Sequence, residues 1–194
     1  SAKDVETSAD VTLTSNYVFR GKTYSNDSPA IQGSFNASYK GLYTGLWASN
    51  IKIDGLESSI EIDYYLGYQN TIDNFFYDVN YLHMILPDDR QAANMGEATL
   101  LLGYDFEVLA LSAKYVKGIK TNDYDAPDVW EAMVSIPTVM DITIDVNYGE
   151  YDTIGKYYFF GVSKEFAKYT FSLAYTGMNY DDSTVKNENN LVAS

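Results

Sequence analysis

Between Ser58 and Gly177 the chain alternates polar and apolar residues in stretches of about ten, each closed by a turn. The clearest stretch is Ile60-Glu61-Ile62-Asp63-Tyr64-Tyr65-Leu66-Gly67-Tyr68-Gln69, and Ile142-Thr143-Ile144-Asp145-Val146-Asn147-Tyr148 repeats it. A period of two is that of a β-strand with two unlike faces. One face here is aliphatic or aromatic; the other carries carboxylates, amides, hydroxyls and glycine. A soluble sandwich also alternates, but its strands are commonly nearer five or six residues. Ten-residue strands with an apolar outside and a polar inside are what a transmembrane β-barrel requires.

The pattern predicts an all-β, antiparallel, up-and-down transmembrane barrel of about twelve strands. They are expected at Val11–Arg20, Ile31–Lys40, Leu42–Ile53, Ser59–Gln69, Phe75–Ile85, Glu97–Asp105, Val108–Lys117, Val129–Ile136, Met140–Gly149, Tyr157–Lys164, Lys168–Thr176 and Asn189–Ser194. Longer polar links, at Gly21–Ala30, Asp54–Ser58, Leu86–Gly96, Gly118–Asp128, Glu150–Lys156 and Gly177–Glu188, alternate with tight ones, as at Gly41 and Glu165–Ala167. Barrels of the bacterial outer membrane have this asymmetry, with long loops outside and short turns in the periplasm. A single domain over 1–194 is expected, with a polar N-terminal segment at 1–9 and a last strand cut short. The opening Ser-Ala-Lys-Asp-Val-Glu reads as a mature N-terminus left by signal-peptide removal.

Parity assigns the faces. Val11, Leu13, Tyr17, Phe19, Ile31, Phe35, Ile60, Tyr64, Leu66, Val79, Leu100, Trp130 and Phe171 are expected on the outer wall. Arg20, Glu61, Asp63, Asp78, Glu97, Lys114, Glu131, Asp141, Asp145 and Lys168 are expected to line the lumen, and every strand charge falls on that face. Two segments are ambiguous: Tyr43-Thr44-Gly45-Leu46-Trp47-Ala48 and Tyr157-Tyr158-Phe159-Phe160 carry large side chains on both faces.

Composition sharpens this in three ways. The 19 Tyr suit a membrane–water boundary, where an apolar ring and a wet hydroxyl are both satisfied. No cysteine is present, which removes disulfides, thiolate nucleophiles and Cys-based metal sites. A net charge of −14 argues against nucleic acid as a partner.

The segment Val11-Thr12-Leu13-Thr14-Ser15-Asn16-Tyr17-Val18-Phe19-Arg20-Gly21, with Pro29-Ala30-Ile31-Gln32-Gly33 and Gly45-Leu46-Trp47-Ala48-Ser49-Asn50, resembles the TorF-type porin family of Gram-negative outer-membrane proteins. Glu61-Ile62-Asp63-Tyr64-Tyr65-Leu66-Gly67-Tyr68 and Gly161-Val162-Ser163-Lys164-Glu165-Phe166 fit the same family, and the likeness covers nearly the whole chain. It implies an outer-membrane barrel and no catalytic residues. Family members usually close on a terminal Phe, whereas this chain ends Leu191-Val192-Ala193-Ser194.

Two readings of the inner wall stay open. An excess of carboxylates over Arg20, Lys114 and Lys168 would favour cations in a water-filled channel for small solutes. In the other reading the same groups pair and plug the lumen, leaving a structural or interaction barrel, since barrels of few strands fill their interiors with side chains. A soluble sandwich ranks third. Enzyme chemistry is not expected: His83 is the only histidine and has outward parity, and no Ser stands at a motif position. The acidic loop clusters Asp88-Asp89, Asn122-Asp123-Tyr124-Asp125, Asp152 and Asp181-Asp182 lack EF-hand spacing, so neither metal nor cofactor is expected. The expected partners are outer-membrane lipid and lipopolysaccharide, with self-association or other envelope proteins beyond that.

Overall fold

A computed structural model describes residues 5–87, 94–121 and 125–194. The long strands are β1 (Glu6–Thr14), β4 (Ala30–Tyr39), β5 (Leu42–Asn50), β6 (Ile60–Ile72), β7 (Phe75–Ile85), β8 (Met95–Asp105), β9 (Ala110–Ile119), β10 (Val129–Pro137), β11 (Ile142–Tyr151), β12 (Gly155–Phe166), β13 (Tyr169–Tyr180) and β14 (Glu188–Ala193). They form one 12-stranded antiparallel sheet in sequence order. Between β1 and β4 lie two short strands, β2 (Val18–Phe19) and β3 (Lys22–Thr23), which pair only with each other. The sheet curls until its ends meet: the Ser15 amide donates to the Ala193 carbonyl at 2.8 Å, and the Ala193 amide to Ser15 Oγ at 3.0 Å. The product is a nearly closed barrel, and no α-helix occurs among the described residues.

The expected inversion of faces holds along the wall. Val11 and Leu13 are 72% and 69% exposed on the outside, and Leu66 is 60% exposed, while Glu61 on the same strand is fully buried. The two ambiguous strands resolve the same way. Leu42, Leu46, Phe160 and Val162 face out, so Tyr43, Trp47, Tyr157 and Phe159 face in. Glycines make room for such rings: a Cβ on Gly67 would sit 2.4 Å from the Tyr43 ring, on Gly103 2.1 Å from Phe76, and on Gly149 2.4 Å from Tyr157.

Several boundaries differ from the sequence reading. Glu6–Ala9, expected in a polar tail, already belong to β1. The first strand ends at Thr14 instead of running to Arg20, because the chain turns inward at Ser15. Tyr17, expected on the outer wall, is therefore only 8% exposed, and Phe19 is half-buried. The expected long link Glu150–Lys156 shrinks to a turn at 152–154, since β11 and β12 extend to Tyr151 and Gly155. The last strand starts at Glu188 and is six residues long.

Not every strand charge faces the lumen. Lys117 and Lys156 point outward at the long-loop end of the wall and Lys164 near the other. Asp128 accepts from Lys117 Nζ at 2.8 Å, from the Tyr115 hydroxyl at 2.7 Å and from the Gly118 amide at 3.0 Å. The Lys117 and Tyr115 bonds hold its carboxyl well below the usual range, at about 2. These groups edge the apolar outer band, flanked there by Trp130 and Tyr148.

Candidate functional site: a hairpin inside a polar lumen

The β2–β3 hairpin turns at Arg20-Gly21, with φ of 49° and 78°. Two consecutive positive φ values define a type I′ turn, whose twist suits a two-residue hairpin. Gly21 also has no room for a side chain: a Cβ there would lie 2.1 Å from the Gly177 carbonyl oxygen of β13. Gly21→Ala should thus destabilise the protein by well over the ~1 kcal/mol of an ordinary left-handed Gly→Ala change, read as a lowered unfolding temperature in detergent. A change within about 0.5 kcal/mol would show that the hairpin does not seat against β13.

From this turn the hairpin reaches the wall on all sides. Arg20 donates to both Glu97 oxygens of β8, Nη1 at 2.6 Å and Nη2 at 2.8 Å. Its guanidinium also lies 5.0 Å from the Tyr151 ring of β11 and 4.5 Å from Phe19. Burial works against the charged guanidinium, but the hydrogen bonds and charge of Glu97 outweigh it and hold Arg20 above the usual arginine range. Tyr17 donates to Glu61 Oε1 of β6 at 2.7 Å and packs edge-on against Trp47 of β5 at 5.3 Å. Burial, then the neighbouring Glu61 charge and hydrogen bond, push the Tyr17 phenol well above its ordinary range, so it stays a donor. On the far side, the Thr23 amide donates to Glu188 Oε2 at 2.7 Å and Asn190 Nδ2 to the Gly21 carbonyl at 3.5 Å. The hairpin crosses the lumen at the long-loop end, tied to β6, β8, β13 and β14. Apolar packing accompanies these ties: Tyr17, Ala30, Ile51 and Leu86 form one cluster, and Val116, Val129, Tyr151, Tyr157 and Met178 another.

The ten expected lumen residues divide into four groups. Arg20 and Glu97 form the ion pair just described, with Arg20 on the hairpin instead of on the wall. Lys114 and Glu131 face in from β9 and β10 and pair at 3.0 Å, and the Tyr157 hydroxyl donates to the other Glu131 oxygen at 2.6 Å. Four carboxylates lack a cation partner among the described residues. Asp78 accepts from the Tyr43 hydroxyl at 2.8 Å and from Asn80 at 2.7 Å, and Asp145 lines a cavity of about 300 Å³ nearer the short turns. Glu61 and Asp63 are 0% and 8% exposed, and Glu61 Oε2 and Asp63 Oδ1 have no hydrogen-bond partner among the described residues.

Asp141 and Lys168, the fourth group, do not line the lumen. Asp141 ends an exposed 3-10 turn (Val139–Asp141), and Lys168 lies in the β12–β13 turn with its ammonium over Tyr169 at 5.7 Å. Both were misplaced because the strands they were assigned to begin later, at Ile142 and Tyr169.

Sequence reasoning missed Asp10, which accepts from Ser34 inside the barrel and is exposed there, and the inward ring of Tyr17, and it left Trp47, Tyr157 and Phe159 open between the two faces. Asp10 falls just outside the strand expected from Val11, whereas β1 begins at Glu6. The Ser15-Asn16 break and the Arg20-Gly21 pair were the signals that could have revealed the hairpin, since Lys40-Gly41 makes the same kind of turn between β4 and β5.

His83 faces outward, as expected, 3.2 Å from the Tyr81 hydroxyl. Among the described residues no cluster of three or more His, Cys, Asp or Glu is placed to hold a metal ion. Asp88-Asp89 and 122–124 lie outside the described residues.

An inside-out antiparallel barrel with a polar lumen crossed by a hairpin is the class these features define. The chain belongs to a bacterial protein family of unknown function, Gcw_chp, whose profile matches residues 1–193. No curated protein matches it in sequence. Among solved structures it is similar to a mutant of the Rh. blastica porin, at 14% identity and a TM-score of 0.45, over 84% of this chain and 53% of the porin. The chain thus spans about half the length of that porin.

Proposed function

We propose that the protein is a bacterial outer-membrane channel for small solutes, held closed or narrow by its hairpin and preferring cations when open. The inside-out wall carries this reading. Soluble monomers rarely expose a contiguous apolar patch beyond a few hundred Å², whereas Val11, Leu13, Leu66, Val79, Leu102 and Phe171 are all at least 44% exposed around the barrel. Lipid, with lipopolysaccharide in the outer leaflet, is the natural cover for such a band. The likeness to TorF-type porins belongs with this reading, and neither catalysis nor a nucleic-acid partner does. Cation preference rests on Asp10, Glu61, Asp63, Asp78 and Asp145, which have no cation partner among the described residues.

The membrane location has a direct test. Leu66→Arg should destabilise the barrel in lipid by about 2–4 kcal/mol, the range for a cation near the bilayer midplane. Denaturant titration in vesicles measures it. A cost below about 0.5 kcal/mol would mean that the position sees water.

Channel function is tested in planar bilayers. The parent protein should give small or brief conductance steps. Replacing residues 16–28 by a short Gly-Ser link should give larger, lasting steps that select K⁺ over Cl⁻. Silence from both proteins, or anion selectivity, overturns the reading. Silence would leave the second one, a structural or interaction barrel with a plugged lumen, which the hairpin's ties to β6, β8 and β13 favour.

A further inference from the structure

Beneath the hairpin lies a cavity of about 390 Å³. That is within the range of small-molecule sites, ~300–1,000 Å³. Two kinds of surface meet in it. Trp47 and Phe159 supply half-buried aromatic faces. Thr12 on β1, Gln32 on β4 and Asn147 on β11 supply a hydroxyl and two amides, and these three side chains make no hydrogen bond with any described residue. They are donors and acceptors left over for a guest or for water.

The charges at the cavity are already used. Lys114 is neutralised by Glu131 at 3.0 Å, and Arg20 by Glu97 through two bonds. Within the lining an ion would meet no free opposite charge, since unpaired Asp10 lies one inward position beyond Thr12 on β1, and a purely apolar guest would strand the two amides, at about 1–3 kcal/mol per unsatisfied group. A hydroxyl-rich ring satisfies both surfaces. Each hydroxyl donates and accepts, as each side-chain amide does, and the C–H face of the ring lies against an aromatic side chain.

We propose that this cavity is a binding site for a neutral, polyhydroxylated solute of mono- or disaccharide size. It rests on the channel reading for its physiological role, as the station at which such a solute waits beneath the hairpin, but not for its chemistry.

The protein carries its own reporter. Of its 2 Trp, Trp47 lines the cavity and Trp130 sits 44% exposed on the outer wall. Trp130→Phe therefore leaves Trp47 as the only indole. In detergent, this variant should show a saturable change in emission on titration with at least one of glucose, galactose, arabinose, maltose or sucrose. Gluconate and glucosamine should bind at least about tenfold more weakly, or not at all. Gln32→Leu and Asn147→Leu, checked for folding by heat-modifiable gel mobility, should each weaken binding about tenfold, or ~1.4 kcal/mol. No saturable change below about 100 mM for any of these sugars overturns the proposal. So does binding that both substitutions leave intact, or equal binding of the charged analogues. If either Leu variant fails to fold, Gln32→Glu and Asn147→Asp should weaken binding in its place, and unchanged affinity counts against the site. Liposome swelling with the same sugars separates the two ideas. Binding without entry sinks the channel and spares the site; entry without saturable binding does the reverse.

Discussion

Arg20→Met should cost about 3–5 kcal/mol of stability, because it leaves the buried Glu97 carboxylate without its cation. The pair is buried on both sides, with side chains 6% and 6% exposed, so water cannot step in for the lost guanidinium. Glu97→Gln should cost a comparable amount, for the mirror reason. The double substitution Arg20→Met with Glu97→Gln should recover most of the loss, since removing both charges removes the desolvation penalty. Unfolding in detergent, followed by loss of strand signal, measures all three. Conductance gives an independent readout. Arg20 is the tip of the hairpin and makes, among the described residues, its only ion pair with the far wall, so Arg20→Met should open the lumen more often than the parent. The double variant should stay leaky while regaining stability, because the tie is still missing. Stability and conductance recovering together would mean that the hairpin is held by shape alone, and a cost under about 1 kcal/mol for Arg20→Met would mean that the pair is wet.

Asp63→Asn is expected to work in the opposite direction, raising stability by about 1–3 kcal/mol. Asp63 and Glu61 face inward two residues apart on β6, both nearly fully buried, with no cation beside either among the described residues. Each has an oxygen that accepts no hydrogen bond from a described residue. Neutralising Asp63 removes one of two like charges, and the new amide gains donors beside the unpartnered oxygen of Glu61. Glu61→Gln should stabilise less, since Glu61 already accepts from Tyr17 at 2.7 Å and the amide keeps that acceptor. Thermal unfolding of the two single variants at neutral pH decides the matter. Destabilisation by Asp63→Asn would show that the carboxylate has a charged partner in solution. A barrel that keeps two costly carboxylates has the usual mark of a functional position, where stability is given up for chemistry. In the hairpin-deleted protein, Asp63→Asn should also lower cation selectivity.

Much of the fold was legible in the sequence, but unevenly. The stretch Ile60–Gln69 was assigned to its strand and both of its faces correctly, because a period of two next to a lipid-like exterior leaves one consistent arrangement. Where parity and burial part company, the pattern misled. Tyr17 and Phe19 continue the odd parity of Val11 and Leu13, so they look like outer-wall residues. They lie inside because Ser15 breaks the strand and bonds across the seam to Ala193, a contact between residues 178 apart. Asp141 and Lys168 failed for a milder reason: each lies at a turn, where a shift of one or two residues separates a lumen position from solvent.

The sequence by itself determined the barrel class, the number of long strands, their order, and which face of most of them is apolar. Those follow from local periodicity and short turns, which a one-dimensional pattern records in full. It also marked seven lumen acids, of which the barrel keeps all but Asp141 on its inner wall. Only the tertiary structure decided what that wall faces across the lumen. The pairing of Arg20 with Glu97 and of Lys114 with Glu131, the isolation of Glu61 and Asp63, and the cavity beneath Trp47 all depend on which walls face each other across the lumen. That is set by curvature, register and the inward fold of one hairpin, and it brings together residues with no periodic relation along the chain.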